Sequence, residues 1–258
     1  MTSSLSLHYD EYGEAGKPVL IILHGFFASS RNWRSIARQL QRDYHILVPD
    51  QRNHGASPHA EPMDYPTMAQ DMVDFLQQRG LTKAHFFGHS MGGKVAMWLA
   101  LNHPERIDKL IVGDISPTAY QHSFDSPIEA LKAIPLDQIQ NRKQADHYLG
   151  QAIADESYRQ FLLQNLILQQ GEYRWRVDLD IFQRHADNIV GFPSLESEKQ
   201  YTEPVLFLGG AESDYIREND VYRYFPNAII HYLPNAAHWL HVQAPDEFCA
   251  AVRQFIGR

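Results

Sequence analysis

The chain has 258 residues, 44% of them hydrophobic and 21% charged, which excludes collagen-like and disordered polymers and fits one large α/β unit or a core carrying an insertion. A formal charge of −8 without a run of Lys or Arg argues against nucleic acid or an anionic membrane as partner. The single cysteine, Cys249, excludes an intramolecular disulfide framework and any zinc site that needs two thiolates. With no leader-like start and no apolar run long enough to span a bilayer, the reading is a soluble cytoplasmic protein without stable membrane insertion.

In chain order, residues 5–9 alternate apolar and polar side chains, as an edge or antiparallel strand does. Val19–Leu23 has no polar alternation and predicts a strand buried on both faces of a parallel sheet. Trp33, Ile36, Ala37 and Leu40 recur at helical spacing behind Ser29 and Ser30, which can supply an N-cap. A strand over 44–48 follows, then a helix from about Pro66 to Gly80 marked by Met68, Met72, Phe75 and Leu76. A strand over 84–87 leads into a helix over 91–103 halted by Pro104, and 110–112 reads as another strand. From 117 to 200 the alternation gives way to helical segments such as 161–168 and an aromatic-basic stretch at 173–176. The expectation is an inserted, mainly helical lid subdomain at 117–200 between core segments 1–116 and 201–258. Strands at 205–208 and 228–233 and a final helix bearing Phe248, Val252, Phe255 and Ile256 complete the core.

The strongest chemical signal is Gly88-His89-Ser90-Met91-Gly92, a G-x-S-x-G lying between a predicted strand and a predicted helix. A nucleophile on so tight a turn needs neighbours without a Cβ, and the helix that starts there offers free N–H groups to developing negative charge. Ser90 is therefore the candidate nucleophile. Oxyanion donors are expected from the backbone N–H of Met91 and of Phe26, in the His24-Gly25-Phe26-Phe27 loop beyond the strand 19–23. His24 is expected to brace that loop. A serine needs a base, and His238 lies in the loop after the last strand, ahead of His241 as the choice. For the acid that orients the imidazole, Asp114 and Asp214 both follow core strands, and the residues leave both open. Phe26, Phe27 and Trp175 are candidate walls of an acyl site. No H-E-x-x-H occurs among the 14 histidines, and a serine mechanism needs neither metal nor cofactor.

Together with Arg52-Asn53-His54-Gly55, Met68-Ala69-Gln70-Asp71 and Asp114-Ile115-Ser116-Pro117, these residues resemble the α/β-hydrolase superfamily over nearly the whole chain. Within it they are similar to the YbfF-type esterases and the related abhydrolase-11 group. The resemblance implies an α/β-hydrolase fold, a mostly parallel central sheet flanked by helices with an inserted helical lid. It points to Asp114 as the acid, one strand before the superfamily's commoner position, where Ser213 takes the expected slot and Asp214 stands one residue beyond. It assigns bracing roles to Arg52, His54 and Ser57. The implied activity is a serine hydrolase acting on small-molecule carboxylic esters or acyl thioesters of short to medium chain. Carbon-carbon bond hydrolases, perhydrolases, lyases and a receptor that keeps the triad are the alternatives on this fold, and the oligomeric state is left open.

Overall fold

The computed structural model describes residues 4–194 and 199–257; residues 195–198 of the expected insert, and 1–3 and 258, lie outside the described residues. Seven strands form the central sheet: β1 (Tyr9–Tyr12), β2 (Val19–Leu23), β3 (His45–Pro49), β4 (Ala84–His89), β5 (Ile107–Gly113) and, after a long excursion, β8 (Val205–Gly210) and β9 (Ala228–Leu233). Their order is β1-β3-β2-β4-β5-β8-β9, with only β1 antiparallel to its neighbour. Helices α1 (Arg34–Leu40), α2 (Tyr65–Gln78) and α3 (Met91–Asn102) connect the early strands, α8 (Glu218–Tyr224) connects β8 to β9, and α9 (Leu240–Gln243) and α10 (Pro245–Ile256) follow β9.

Strand residues alternate between two cores. Ile21, Leu23, Phe86, Leu110, Val112 and Phe207 join the apolar layer under α2 and α3, whereas Leu20, Ile22, Phe87, Ile111 and Leu206 join the layer with α1 and α10. Burial on both faces explains why these strands read as continuous apolar runs. Each fully buried Leu, Ile or Phe contributes roughly 1.5–3 kcal/mol, so the parallel strands provide a rigid edge from which loops can present side chains. Among the described residues no helix is long and apolar enough to cross a membrane.

The structure corrects two details of the sequence reading. The edge strand is at Tyr9–Tyr12, not over 5–9. Residues 5–8 keep the alternation, with Leu7 buried, but their backbone is taken up by a loop instead of a strand: His8 N–H donates to Ser57 Oγ at 2.9 Å and His8 O accepts from Asp50 N–H at 2.8 Å. The apolar run 161–168 is also not one helix. Between β5 and β8 lie α4 (Asp125–Lys132), α5 (Arg142–Leu149), α6 (Glu156–Leu163), the hairpin β6 (Leu166–Gln169) and β7 (Glu172–Trp175), and α7 (Leu179–Val190). Gln170 and Gly171, at φ 53 and 86, make the two-residue turn that a hairpin requires, and the run breaks where that hairpin starts. None of this segment adds a strand to the central sheet.

Candidate active site

Ser90 stands between β4 and α3 at φ 54 and ψ −120, a left-handed conformation that lifts its side chain clear of both elements. The flanking glycines are a steric necessity there. A Cβ on Gly88 would run into the Gly92 carbonyl, and one on Gly92 into the carbonyls of Leu23 and His24. The turn is tied to the sheet by Ser90 N–H donating to Gly113 O at 3.0 Å. Ser90 is half-buried and faces a cavity of about 810 Å³, inside the range of roughly 300–1,000 Å³ usual for small-molecule sites.

His238 lines the same cavity, in the loop between β9 and α9. Its Nδ1 lies 2.8 Å from Asp114 Oδ2. Asp114 follows β5, also at positive φ, and its side chain is only 1% exposed. The carboxylate takes two further donors, Gly210 N–H to Oδ1 at 3.1 Å and Ser213 Oγ–H to Oδ2 at 2.6 Å. The structure thus brings Asp114 and His238 together and leaves Asp214 exposed at the surface. Ser213, at the slot where the commoner acid would stand, serves Asp114 as a donor. The His238 loop is held from below by His89, whose Nε2–H donates to His238 O at 2.7 Å, with the two rings 4.7 Å apart.

The His24-Gly25-Phe26-Phe27 loop runs beside the serine, so that a Cβ on Gly25 would lie 3.4 Å from Ser90 Cβ. Among the described residues neither Phe26 N–H nor Met91 N–H has a hydrogen-bond partner, which leaves both free for a ligand oxygen. The loop is braced as expected. His24 Nδ1–H donates to Gly25 O at 2.8 Å while its Nε2 accepts Gln51 N–H at 3.0 Å. His54 Nδ1–H donates to Arg52 O at 2.9 Å while its Nε2 accepts Phe27 N–H at 3.3 Å. Burial pushes His24 below the usual imidazole range and His54 well below it, where the repulsion that two protonated neighbouring rings would suffer adds to the effect, so both rings work as neutral donor-acceptor bridges. Arg52 pairs with Asp71 at 2.6 Å and Ser57 Oγ–H donates to Asp50 O at 2.5 Å, fixing the turn that carries His54.

The walls are mainly apolar. Phe26 and Phe27 line the cavity, and the segment between β5 and β8 adds Phe124, Tyr158, Phe161 and Ile189. Trp175 is not brought to the site: it sits half-buried on β7, packed against the main core and away from the cavity lining. His241, the second choice for the base, stacks on Trp33 at 4.1 Å and is pushed down to about 4 by burial and then by the His238 charge. Among the described residues no group of His, Cys, Asp and Glu is arranged to hold a metal.

Two polar residues of the site escape sequence reasoning. Lys94, one turn into α3, is buried, lines the cavity, and donates to Val190 O at 2.8 Å and Gly191 O at 2.7 Å. Burial, with some help from Arg217, lowers its ammonium to about 7. Asn165 donates to Phe27 O at 2.8 Å. Lys94 closes the run Gly88 to Lys94 that carries the family resemblance, but the partners of the two side chains are 96 and 138 residues distant in sequence, so no local pattern gives the role of either one.

Similarity to known proteins agrees with this architecture. The chain is 40% identical to the zebrafish (Danio rerio) sn-1-specific diacylglycerol lipase ABHD11, over 98% of this chain and 83% of that one. It is 36% identical to esterase YbfF of Escherichia coli K12, over 92% of each. A solved structure described as a marine microorganism esterase superposes with a TM-score of 0.92 at 38% identity, covering 98% of this chain and 100% of that one. The α/β hydrolase fold family matches residues 18–245, the span that holds all of the sheet but β1, the serine turn and the loop of His238, and the chain belongs to that family.

Proposed function

We propose that the chain is a serine hydrolase that cleaves carboxylic esters through an acyl-enzyme. The observation that carries this reading is a strained Ser90 in a cavity shared with His238, whose imidazole is hydrogen-bonded to buried Asp114. His238 takes the hydroxyl proton as Ser90 Oγ attacks the ester carbonyl carbon, and Asp114 holds the ring in the tautomer that leaves Nε2 free to accept it. Phe26 and Met91 N–H groups stabilise the oxyanion. Collapse breaks the bond to the alcohol oxygen, which departs with the proton from His238. Water then gives its proton to His238 and attacks the acyl carbon. The serine recovers its proton as the acid leaves.

The segment 117–200 acts in this reading as a lid whose side chains form the acyl wall, and Trp175 has no place in it. The apolar lining and volume support small-molecule acyl esters of short to medium chain, with thioesters sharing the same chemistry. The diacylglycerol lipase relatives make glycerol esters the natural extension of the substrate panel. Turnover of p-nitrophenyl esters, acyl-CoA thioesters and acylglycerols graded by chain length tests the substrate side. Ser90→Ala tests the mechanism: a loss of at least about three orders of magnitude with an unchanged fold is expected. Unchanged hydrolysis by that variant refutes the nucleophile.

A further inference from the structure

Phe27 holds φ at 63, a conformation that a bulky residue keeps only where its surroundings impose it. Both of its polar backbone groups are pinned. The N–H is held by His54, and the carbonyl accepts from Asn165 Nδ2 at 2.8 Å and from Gln164 Nε2 at 3.2 Å. The carbonyl's partners come from the segment inserted between β5 and β8, just beyond the end of α6. Asn165 is 3% exposed and is itself fixed, its N–H bonded to Leu162 O at 3.1 Å and its carbonyl to Arg176 N–H at 2.8 Å. Gln164 is only half-buried and is steadied by Asn32 Nδ2 at 3.0 Å. Phe26 immediately precedes this clamped residue, so the direction of its free N–H follows from where Phe27 is held.

We propose that Asn165 is a positioning residue: by holding the Phe27 carbonyl it aims the Phe26 N–H, and the inserted segment thereby forms part of the oxyanion scaffold as well as a wall. The inference rests on the acyl-transfer reading above. An N–H stabilises the transition state only if it is aimed before the charge develops. Without Asn165, the carbonyl of a left-handed Phe27 loses its better-buried partner and the loop relaxes toward a commoner conformation. The ground-state ester makes little use of the oxyanion donors, so the effect falls on kcat and spares KM. A side chain that only supported the fold would change the thermal midpoint and the fraction of active molecules.

The test measures kcat and KM for p-nitrophenyl butyrate, per active site titrated with a fluorophosphonate or, for Ser90→Ala, which has no hydroxyl to titrate, per mole of folded protein, with thermal midpoints alongside. It compares wild type with Ser90→Ala, Asn165→Ala, Asn165→Asp and Gln164→Ala. Asn165→Ala is expected to lower kcat about 10- to 100-fold with KM within about twofold. Asn165→Asp keeps the shape but sets an acceptor against the Phe27 carbonyl, and should lose at least as much. Gln164→Ala should cost about threefold, since its bond is the longer and wetter one. Affinity for a trifluoromethyl ketone analogue should weaken in step with kcat/KM. Wild-type kcat per titrated site in both Asn165 variants, whatever their midpoints, overturns the proposal, as does a change confined to KM. Should Asn165→Ala not fold, the isosteric Asn165→Asp with Gln164→Ala carries the same comparison. Wild-type turnover in Ser90→Ala removes the acyl-transfer reading and this inference with it, whereas an inert Ser90→Ala beside fully active Asn165 variants removes the inference alone.

Discussion

Replacing Asp114 by Asn separates the two candidate acids with one atom. Asp114 Oδ2 faces two donors, His238 Nδ1–H and Ser213 Oγ–H, and Oδ1 faces a third, Gly210 N–H. An amide nitrogen in this buried place must meet a donor whichever way it turns. Set at Oδ1 it opposes the Gly210 N–H, which cannot rotate away. Set at Oδ2 it opposes a hydroxyl that can turn and an imidazole that can move its proton, so the amide should settle there. His238 then accepts at Nδ1 and carries its proton on Nε2, where it cannot receive one from Ser90. That loss of the working tautomer is expected to lower kcat about 10⁴-fold, or about 5.5 kcal/mol at 1.36 kcal/mol per decade. Asp214 is exposed, and Asp214→Asn should stay within about threefold of wild type. Initial rates on p-nitrophenyl butyrate per titrated active site make the comparison. A loss under tenfold in Asp114→Asn, or an equal loss in Asp214→Asn, would refute the reasoning.

Two further outcomes follow from the same geometry. Gly92→Ala puts a Cβ into the Leu23 and His24 carbonyls, backbone that cannot rotate aside, and should destabilise by at least about 1–3 kcal/mol; a midpoint in urea equal to wild type would contradict the packing at the serine turn. The buried histidines make stability depend on acid: His24, His54, His89 and His241 all protonate less readily in the fold than at the ordinary imidazole value of 6.5. The unfolded chain therefore binds more protons below that value, so stability is greatest above it and declines as the pH falls, for His241 over the window from 6.5 to about 4. Urea midpoints at pH 7.5, 6 and 5 should fall in that order, and a flat series would show that these rings are not buried in neutral form.

What the sequence reveals is what local pattern can carry. The strands of the parallel sheet announce themselves because both faces are buried, and the serine turn because its glycines are forced, Gly88 by the Gly92 carbonyl and Gly92 by carbonyls one strand away. The apolar run 161–168 is ambiguous by nature: at that length helix and strand look alike, and only the Gln170-Gly171 turn distinguishes the hairpin. Resemblance, not spacing, singled out Asp114 from Asp214, and the reason Ser213 stands where it does emerges only from its bond to Asp114. Trp175 shows the opposite error. An aromatic in the inserted segment looks like a pocket wall, while the walls that segment does supply include Tyr158 and Phe161 on α6 and Ile189 on α7.

The Lys94 bridge has a bearing on how this cavity can be redesigned. The ammonium grips the main-chain oxygens of residues 190 and 191, not their side chains. The identity of the side chain at 190 is therefore uncoupled from the tether that holds the end of α7 against α3. Val190 borders the cavity, so exchanging it for smaller or larger residues offers a dial on substrate selectivity that leaves the anchoring untouched.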